Sequence, residues 1–272
     1  MPRRPLALAL LVLPLVACGN ESAPKGPLQV RENAFTWSGH VPSGARLSVR
    51  SFSGAIEVQP SPDDTVRVTA RLEWRSGDPD RSLTMSGARV GDDALICAVW
   101  GDGSCTAGNY TASFKPGRGT DAKLFFTVQV PAGVRLTLTQ IAGPISAAAT
   151  APVIAKTMDG DVRVATAVGP VQGETLNGSV DIRMSSLAGT DSVIAKTLNG
   201  DAFIYVTALD DARLDLSVMN GKVESAFPEG QPAGSGAKKL QATIGAGSRV
   251  IRGHTLNGRV ALRKLDAEGR SQ

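Results

Sequence analysis

The sequence predicts an all-β protein built around a parallel β-solenoid, a β-helix-like stack of rungs of roughly 20 residues each. The first observation is a recurring four-residue motif that ends in Asn-Gly or Asp-Gly after an apolar residue. The second is an alternating apolar and polar pattern after each copy, and the third is the spacing between copies. The five copies lie at residues 157–160, 175–178, 197–200, 218–221 and 255–258.

The residues around each motif form columns when the copies are aligned on their glycines. An alternation with a period of two indicates a strand with one buried face. By this alternation Leu198 points inward between the rungs of Leu176 and Met219, whereas Thr197 lies on the outer face. We expect three interior columns, which lie two residues before, two residues after and four residues after the glycine. In that order the columns are Met158, Leu176, Leu198, Met219 and Leu256; Val162, Val180, Ala202, Val223 and Val260; and Val164, Ile182, Ile204, Ser225 and Leu262.

The spacing of the motif decides how the strands connect. The glycines are 18, 22, 21 and 37 residues apart, and the last interval contains the Gly/Pro-rich stretch 228–236. Taken singly, an Asn-Gly pair between alternating strands can form a two-residue hairpin. However, the motif returns only once per two strands, and the segment 153–161 recurs almost unchanged at 193–201, an offset of 40 residues or two rungs. This spacing favours a coil over a series of hairpins.

An outer column of alternating charge follows from the same alignment. Lys156, Glu174 and Lys196 share this column, so we expect cross-strand ion pairs worth about a few tenths of a kcal/mol each. His254 falls in the same column, which favours an exposed strand residue over a catalytic one.

The N-terminal half carries its own duplication. Residues 41–49 and 130–138 share the pattern Val-Pro-x-Gly-x-x-Leu, and each is followed by Gly-x-Ile. Each copy predicts a strand, a turn and entry into a further rung. The predicted organisation is a lipoprotein signal peptide at 1–17, a lipidated cysteine and tether at 18–34, an N-terminal β region with a disulfide loop at 35–130, a β-strand-repeat solenoid at 131–265 and a polar tail at 266–272.

The N-terminus predicts export. A basic start at residues 1–4 precedes an apolar run at 6–16 that is too short to span a bilayer. The sequence Leu-Val-Ala-Cys ending at Cys18 resembles a bacterial lipobox, which implies cleavage before Cys18 and acylation of its sulfur and amino group. A plain signal peptide with an incidental cysteine is the alternative. By resemblance to Gram-negative lipoproteins, Gly19 implies sorting to the outer membrane, so we expect a lipid-anchored protein of the bacterial cell envelope.

Cys97 and Cys105 are the two other cysteines. A pair in an exported chain, separated by a Gly-Asp-Gly turn, indicates a disulfide that closes a small loop and contributes about 2 to 3 kcal/mol in the loop-entropy model. A redox site favours Cys-x-x-Cys spacing, and a metal site would need histidine partners, whereas His40 and His254 lack ligand-like spacing. We therefore expect a structural disulfide and no metal or other cofactor.

The lead-in Val-Pro-x-Gly-x-x-Leu, the Gly-x-Ile rung and the Thr-Leu-Asn-Gly-x-Val repeats together resemble the bacterial putative-adhesin family of β-strand-repeat domains. The resemblance covers about residues 35–265, nearly the whole mature chain. The disulfide loop and the stretch 228–236 depart from the family pattern. The resemblance implies a β-repeat fold and, through the family label, an adhesive role.

Two classes of function fit these features. The first is a non-enzymatic binding, adhesin-like or structural role in the envelope, with Phe203 and Tyr205 as a surface contact patch and an envelope polysaccharide or protein as partner. The second is a carbohydrate-active enzyme whose acid and base come from Asp161, Asp181 and Asp201. We favour the first class, because these carboxylates face solvent beside basic residues. The formal charge of +4 includes two arginines of the signal peptide, so nothing favours nucleic acid as a partner.

Replacement of Cys18 by alanine is expected to abolish acyl labelling and to release the protein from the membrane, because Cys18 carries every predicted lipid attachment. Metabolic labelling with a fatty-acid analogue and membrane fractionation measure the effect. Cys105→Ala serves as the control and should keep both the label and the membrane association. Unchanged fractionation of the Cys18 variant would contradict the prediction.

Overall fold

The computed structural model describes residues 26–112, 121–187 and 191–265. The signal peptide, Cys18 and the tail 266–272 lie outside the described residues. Helical structure within them is limited to α1, Pro79–Ser82, and a 3-10 turn, Pro228–Gly230, and no described helix is long and apolar enough to cross a membrane. The strands are β1 Gln29–His40, β2 Arg46–Pro60, β3 Thr65–Trp74, β4 Leu83–Val90, β5 Asp93–Trp100, β6 Ser104–Cys105, β7 Tyr110–Thr111, β8 Lys123–Val130, β9 Arg135–Ala142, β10 Ile145–Ala149, β11 Val153–Lys156, β12 Val162–Thr166, β13 Val171–Glu174, β14 Val180–Met184, β15 Ser192–Lys196, β16 Ala202–Val206, β17 Ala212–Ser225, β18 Lys239–Ile244 and β19 Arg249–Lys264.

Seventeen of the described strands form one large mixed sheet, and β6 pairs separately with β7. The antiparallel pairs of the large sheet are β1 with β3, β3 with β8, β4 with β5, and β17 with β18. The remaining ladders, including all those of β9 to β16, are parallel. The all-β prediction is confirmed, and parallel pairing is one part of this mixed sheet.

The repeat region contains two parallel ladders. β10, β12, β14 and β16 form one, and β9, β11, β13 and β15 form the other. We call the outward surface of the first ladder the front face and that of the second the back face; a rung is one back-face strand, the motif corner and the front-face strand that follows. The inner sides pack closely, since a Cβ added to Gly173 of β13 would lie 2.7 Å from Val180 Cγ1 of β14. The two ladders share one apolar core.

β19 lies between the rung of β15 and β16 and the rung of β17. Its first half pairs in parallel with β15 and its second half with β16, and on its other side it pairs in parallel with β17. The expectation that Met219 stacks beside Leu198 is therefore wrong, because the fifth motif copy separates the third from the fourth. The long interval before that copy contains β18, which pairs antiparallel with β17.

Two of the three predicted interior columns are correct. The residues two after each motif glycine are buried, and so are those four after it except Ser225, which is half-buried. The column two before the glycine is wrong, because these side chains lie at the surface: Met158, Leu176, Leu198 and Met219 are exposed, and Leu256 is partly exposed. The threonines one residue earlier are buried instead: Thr157, Thr175, Thr197 and Thr255.

The corner glycine explains this shift. Gly200 has a φ of +145°, a conformation that other residues rarely adopt, and a Cβ at this position would lie 2.0 Å from the carbonyl oxygen of Gly178. The turn resets the alternation, so that the buried residues on its two sides, Thr197 and Ala202, are an odd number of positions apart. An alternation carried straight through the glycine therefore assigns the preceding residues to the wrong face.

Each buried threonine donates a hydrogen bond to a glycine carbonyl of the neighbouring rung. The hydroxyl thereby satisfies a backbone acceptor at the corner, where an unpaired group would be costly. The four bonds run from Thr157 to Gly143 (3.0 Å), from Thr175 to Gly160 (2.8 Å), from Thr197 to Gly178 (2.8 Å) and from Thr255 to Gly200 (2.8 Å).

The residues just before the glycines form a second ladder at the surface, made of four asparagine amides and the Asp159 carboxylate. Each Nδ2 donates to an Oδ1 of the neighbouring rung, so the order of the bonds reports the order of the rungs. The bonds run from Asn177 to Asp159 (2.6 Å), from Asn199 to Asn177 (2.8 Å), from Asn257 to Asn199 (2.7 Å) and from Asn220 to Asn257 (2.8 Å).

Aspartate at Thr197 is expected to unfold the protein, whereas aspartate at Leu198 is expected to be tolerated. Thr197 is 5% exposed and donates to the Gly178 carbonyl, so Thr197→Asp buries a charge and removes a donor, at a cost of several kcal/mol. Leu198 is 41% exposed, and its replacement should cost less than about 1 kcal/mol. Thermal melts of the two variants measure the contrast.

Thr197→Val is the companion variant, since it keeps the shape of the side chain and removes only the hydroxyl. Its expected cost is about 1 to 3 kcal/mol, the penalty for leaving a buried carbonyl without a partner. Equal melting temperatures for Thr197→Asp and Leu198→Asp, or a lower one for Leu198→Asp, would show that the assigned faces are wrong.

Candidate functional site

The front face presents two outward columns, because alternate residues of its strands point away from the core. Strand pairing aligns these residues from β10 through β12, β14 and β16 to β19. The first column is Ser146, Arg163, Asp181, Phe203 and Ala261, and the second is Ala148, Ala165, Arg183, Tyr205 and Arg263. The surface thus changes from small residues on β10 to charged residues on β14 and aromatic residues on β16.

The aromatic pair Phe203 and Tyr205 lies on β16, between the charged residues of β14 and β19. The ring centroids are 6.3 Å apart, and both side chains are half-buried rather than fully exposed. The Arg259 guanidinium lies 5.0 Å from the Phe203 centroid, and that of Arg183 lies 4.9 Å from the Tyr205 centroid. Burial is the main cause that raises the pKa of Tyr205, with the Asp181 charge adding to it, so the hydroxyl is neutral at physiological pH.

Carboxylates and guanidiniums around the aromatic pair form ion pairs. The distances from guanidinium nitrogen to carboxylate oxygen are 2.6 Å for Arg163 and Asp161, 3.0 Å for Arg183 and Asp181, 2.9 Å for Arg259 and Asp201, and 2.8 Å for Arg263 and Glu224. The hydrogen bond from Lys222 is the largest cause that lowers the pKa of Glu224, and the two nearby arginines add to it. Each of the three aspartates considered as catalytic groups is thus engaged by a guanidinium.

A shallow groove of about 300 Å³ adjoins this cluster on the front face. The small side chains of Ser146, Ala148 and Ala165 form its floor. Polar groups border it on both sides, with Glu57 and Gln59 of β2 on one side and Arg163, Asp181 and Arg183 on the other. The groove and the aromatic pair together make a continuous surface with both apolar and hydrogen-bonding groups.

The charge ladder predicted for the back face is present. Glu174 lies 2.8 Å from Lys156 and 3.6 Å from Lys196, and Lys196 is aligned with His254 on β19. His254 Nδ1 is 3.0 Å from Ser217 Oγ, which is an ordinary surface contact. Among the described residues, no three side chains of His, Cys, Asp or Glu are grouped to hold a metal ion.

Cys97 and Cys105 form a disulfide, with their Cα atoms 6.2 Å apart. The segment that follows Cys105, residues 106–112, covers Arg50 of β2, whose Nη2 donates to the Ala107 carbonyl at 2.6 Å. Burial lowers the pKa of Arg50. Tyr110, in the same segment, donates its hydroxyl to the Ala98 carbonyl at 2.6 Å. These contacts attach this segment to the outer side of β2 and β5.

The sequence did not predict that Arg259 and Arg263 belong to the front-face cluster. They lie beside Phe203 and Tyr205 only because β19 pairs with β16. Alignment of the repeats on their glycines places these residues in the correct columns. It does not give the order of the rungs, so the neighbours within a column were not available from the sequence.

No family model matches the chain, and no curated protein matches it. Three solved chains are similar to it, among them two proteins of low identity. A putative cell adhesion protein from Clostridium sporogenes is 10% identical, with a TM-score of 0.44 over 86% of this chain and 100% of that one. A putative adhesin from Bacteroides fragilis is 11% identical, with a TM-score of 0.35 over 87% of this chain and 97% of that one. At these identities, residue roles do not transfer between the proteins.

Mature protein prepared from an oxidising compartment is expected to contain no free thiol, because Cys97 and Cys105 are bonded to each other and Cys18 is predicted to be acylated. Mass spectrometry after alkylation without reductant measures this. A reduced sample is the control and should gain two alkyl groups. Alkylation of both cysteines without reductant would argue against the disulfide in the native protein.

Proposed function

We propose that this chain is an exported, lipid-anchored protein of the bacterial cell envelope with a non-enzymatic, adhesin-like binding role. In this proposal the two parallel ladders act as a β-solenoid whose rungs display a flat front face to a partner. The observation that carries the proposal is the outward aromatic pair Phe203 and Tyr205, flanked by the guanidiniums of Arg183 and Arg259. Aromatic residues make up only 4% of the chain, so two on one outward strand surface mark a contact site.

An extended envelope polysaccharide is the partner that this surface suits. Sugar rings have faces of C–H groups that pack on aromatic rings, and their hydroxyls exchange hydrogen bonds with charged side chains. The groove beside Arg163 and Asp181 supplies such groups over several strands. Because the carboxylates and guanidiniums there are paired with each other, the surface favours hydrogen bonding over attraction of a strongly charged polymer.

The anchoring part of the proposal rests on the N-terminal sequence. The lipobox-like residues ending at Cys18 would attach the protein to the outer membrane through more than one acyl chain, the regime of stable attachment. β1 begins at Gln29, so only the short segment 19–28 would separate the lipid from the β-structure. The binding surface would therefore lie close to the membrane, where envelope polymers are abundant.

Binding rather than hydrolysis is proposed because of how the front-face carboxylates are engaged. Glycoside hydrolysis needs one carboxylic acid that stays protonated and a second carboxylate at a set distance across the substrate. Asp161, Asp181 and Asp201 each contact an arginine instead, and neighbouring cations lower the pKa of Glu224. This arrangement suits hydrogen bonding to a ligand that is held and not cleaved.

The double variant Phe203→Ala/Tyr205→Ala is expected to weaken polysaccharide binding at least tenfold, because it removes both stacking surfaces. Purified protein is tested against a panel of envelope polysaccharides by surface plasmon resonance, and thermal melts check that the variant is folded. Phe125→Ala is the matched control. Phe125 is also half-buried beneath a guanidinium, with Arg71 4.8 Å from its centroid, but it lies on β8, away from the cluster.

If the folded double variant and the wild type bound the polysaccharide with equal affinity, the front face would not be the binding site. Release of reducing ends from a polysaccharide, lost on Asp181→Ala, would favour the enzymatic alternative. Failure of the wild type to bind any polysaccharide while it captures an envelope protein would make that protein the partner.

A further inference from the structure

A second groove, of about 250 Å³, lies on the back face, on the opposite side of the core from the front-face cluster. It crosses the parallel strands from the first half of β2 through β9, β11 and β13 to β15. Its sides are mainly apolar, and its polar side chains are uncharged except at one end. The apolar side chains at the surface of the groove are Pro152, Ile154, Pro170 and Ile194.

Two isoleucines in this groove break the rule that outward strand positions are polar. Ile154 is 39% exposed, and Ile194 occupies the same outward column with Gln172 between them. They come from the almost identical segments 153–161 and 193–201, so the repeat places an isoleucine outward twice. An exposed apolar side chain does not contribute to the core, and two of them along one groove provide a binding surface for an apolar chain.

The charged end of the groove is formed by Arg46 and Arg135, which are aligned on the adjacent strands β2 and β9. Both are exposed, and neither side chain forms an ion pair with another residue in the described part of the chain. No aspartate or glutamate is among the lining residues of the groove. Asp93 accepts a hydrogen bond from the backbone N–H of Arg46 at 2.7 Å and does not line the groove. Two adjacent guanidiniums repel each other, so an anion placed between them is favoured.

We propose that this groove binds a single-chain anionic amphiphile. The acyl chain lies along Ile154 and Ile194, and the head group, a carboxylate or a phosphate, lies between Arg46 and Arg135. A volume of about 250 Å³ is just below the usual range for ligand sites, so the groove has room for one chain and not for a diacyl lipid. The site is separate from the front face and does not depend on the function proposed for it.

Calorimetric titration of the Cys18→Ala protein without its signal peptide, residues 1–17, tests this proposal without detergent. The probes are dodecanoate, dodecyl phosphate and dodecanol, each below its aggregation concentration. At least one anionic probe should bind at least tenfold more tightly than dodecanol. Whichever of dodecanoate and dodecyl phosphate binds more tightly identifies the preferred head group. Arg46→Gln/Arg135→Gln should lower the affinity for the anions to that for dodecanol, because only the charge selection is lost. The double variant Ile154→Asn/Ile194→Asn should bind all three probes more weakly, because it removes the apolar surface for the chain.

Arg213→Gln is the matched control. Arg213 is also an exposed back-face arginine, but it lies on β17, beyond the groove, and its replacement should leave all affinities unchanged. The proposal would be overturned if the wild type bound dodecanol as tightly as both anions, or if no probe showed saturable binding. It would also be overturned if Arg213→Gln lost as much affinity for the anions as Arg46→Gln/Arg135→Gln.

A second measurement uses the same protein without changes to the arginines. Phenylglyoxal modifies exposed arginines, and peptide mass spectrometry locates the modified sites. The favoured anion should slow modification of Arg46 and Arg135 at least threefold and leave Arg213 unaffected. Equal modification rates with and without the anion would place any bound amphiphile elsewhere.

Discussion

The corner at each Asn-Gly or Asp-Gly motif is the constraint on which the repeat region depends. At this corner the chain passes from one ladder to the other, and each motif glycine packs against the carbonyl oxygen of a glycine in the neighbouring rung. A Cβ on Gly178, for example, would lie 2.2 Å from the Gly160 oxygen. Only glycine fits such a column at a positive φ. The threonine before it then satisfies the carbonyl, and the asparagine forms the surface amide ladder. Close approach of the rungs, burial of the threonines and exposure of the adjacent leucines all follow from this one turn.

The chemistry of both faces follows from the columns that the corners hold in register. On the front face, pairing of β19 with β16 brings Arg259 and Arg263 beside Phe203 and Tyr205. On the back face, the same kind of register aligns Ile154 with Ile194, and Arg46 with Arg135. Each strand contributes one residue to each column of the ladder. The chemical character of the surface therefore changes gradually along the stack. Extended ligands suit such a surface better than compact ones.

The sequence predicted the parts of the fold that depend on local alternation. The residues after each glycine, such as Val180 and Ile182, are buried as expected, because the strand continues without interruption beyond the corner. The residues before it were misassigned, because no periodicity reveals that the glycine resets the alternation. The recurrence of threonine at 157, 175, 197 and 255 was the available signal, since a varied polar set would be expected at a solvent position. The place of β19 could not be predicted, because nearly identical repeats can stack on one another in any order. The same limit hid the arginines of the front-face cluster.

The position of β19 also affects how the protein is made. β19 follows β17 and β18 in the chain but fills the gap between β16 and β17, so the rungs do not stack in the order of the sequence. Until residues 249–264 have emerged, the facing edges of β16 and β17 have no partner between them. Exposed edges of this kind invite pairing with other chains. Export in an unfolded form would delay that exposure until the whole chain is present. β19 is therefore the closing element of this part of the sheet, and its loss would separate the rungs on both of its sides.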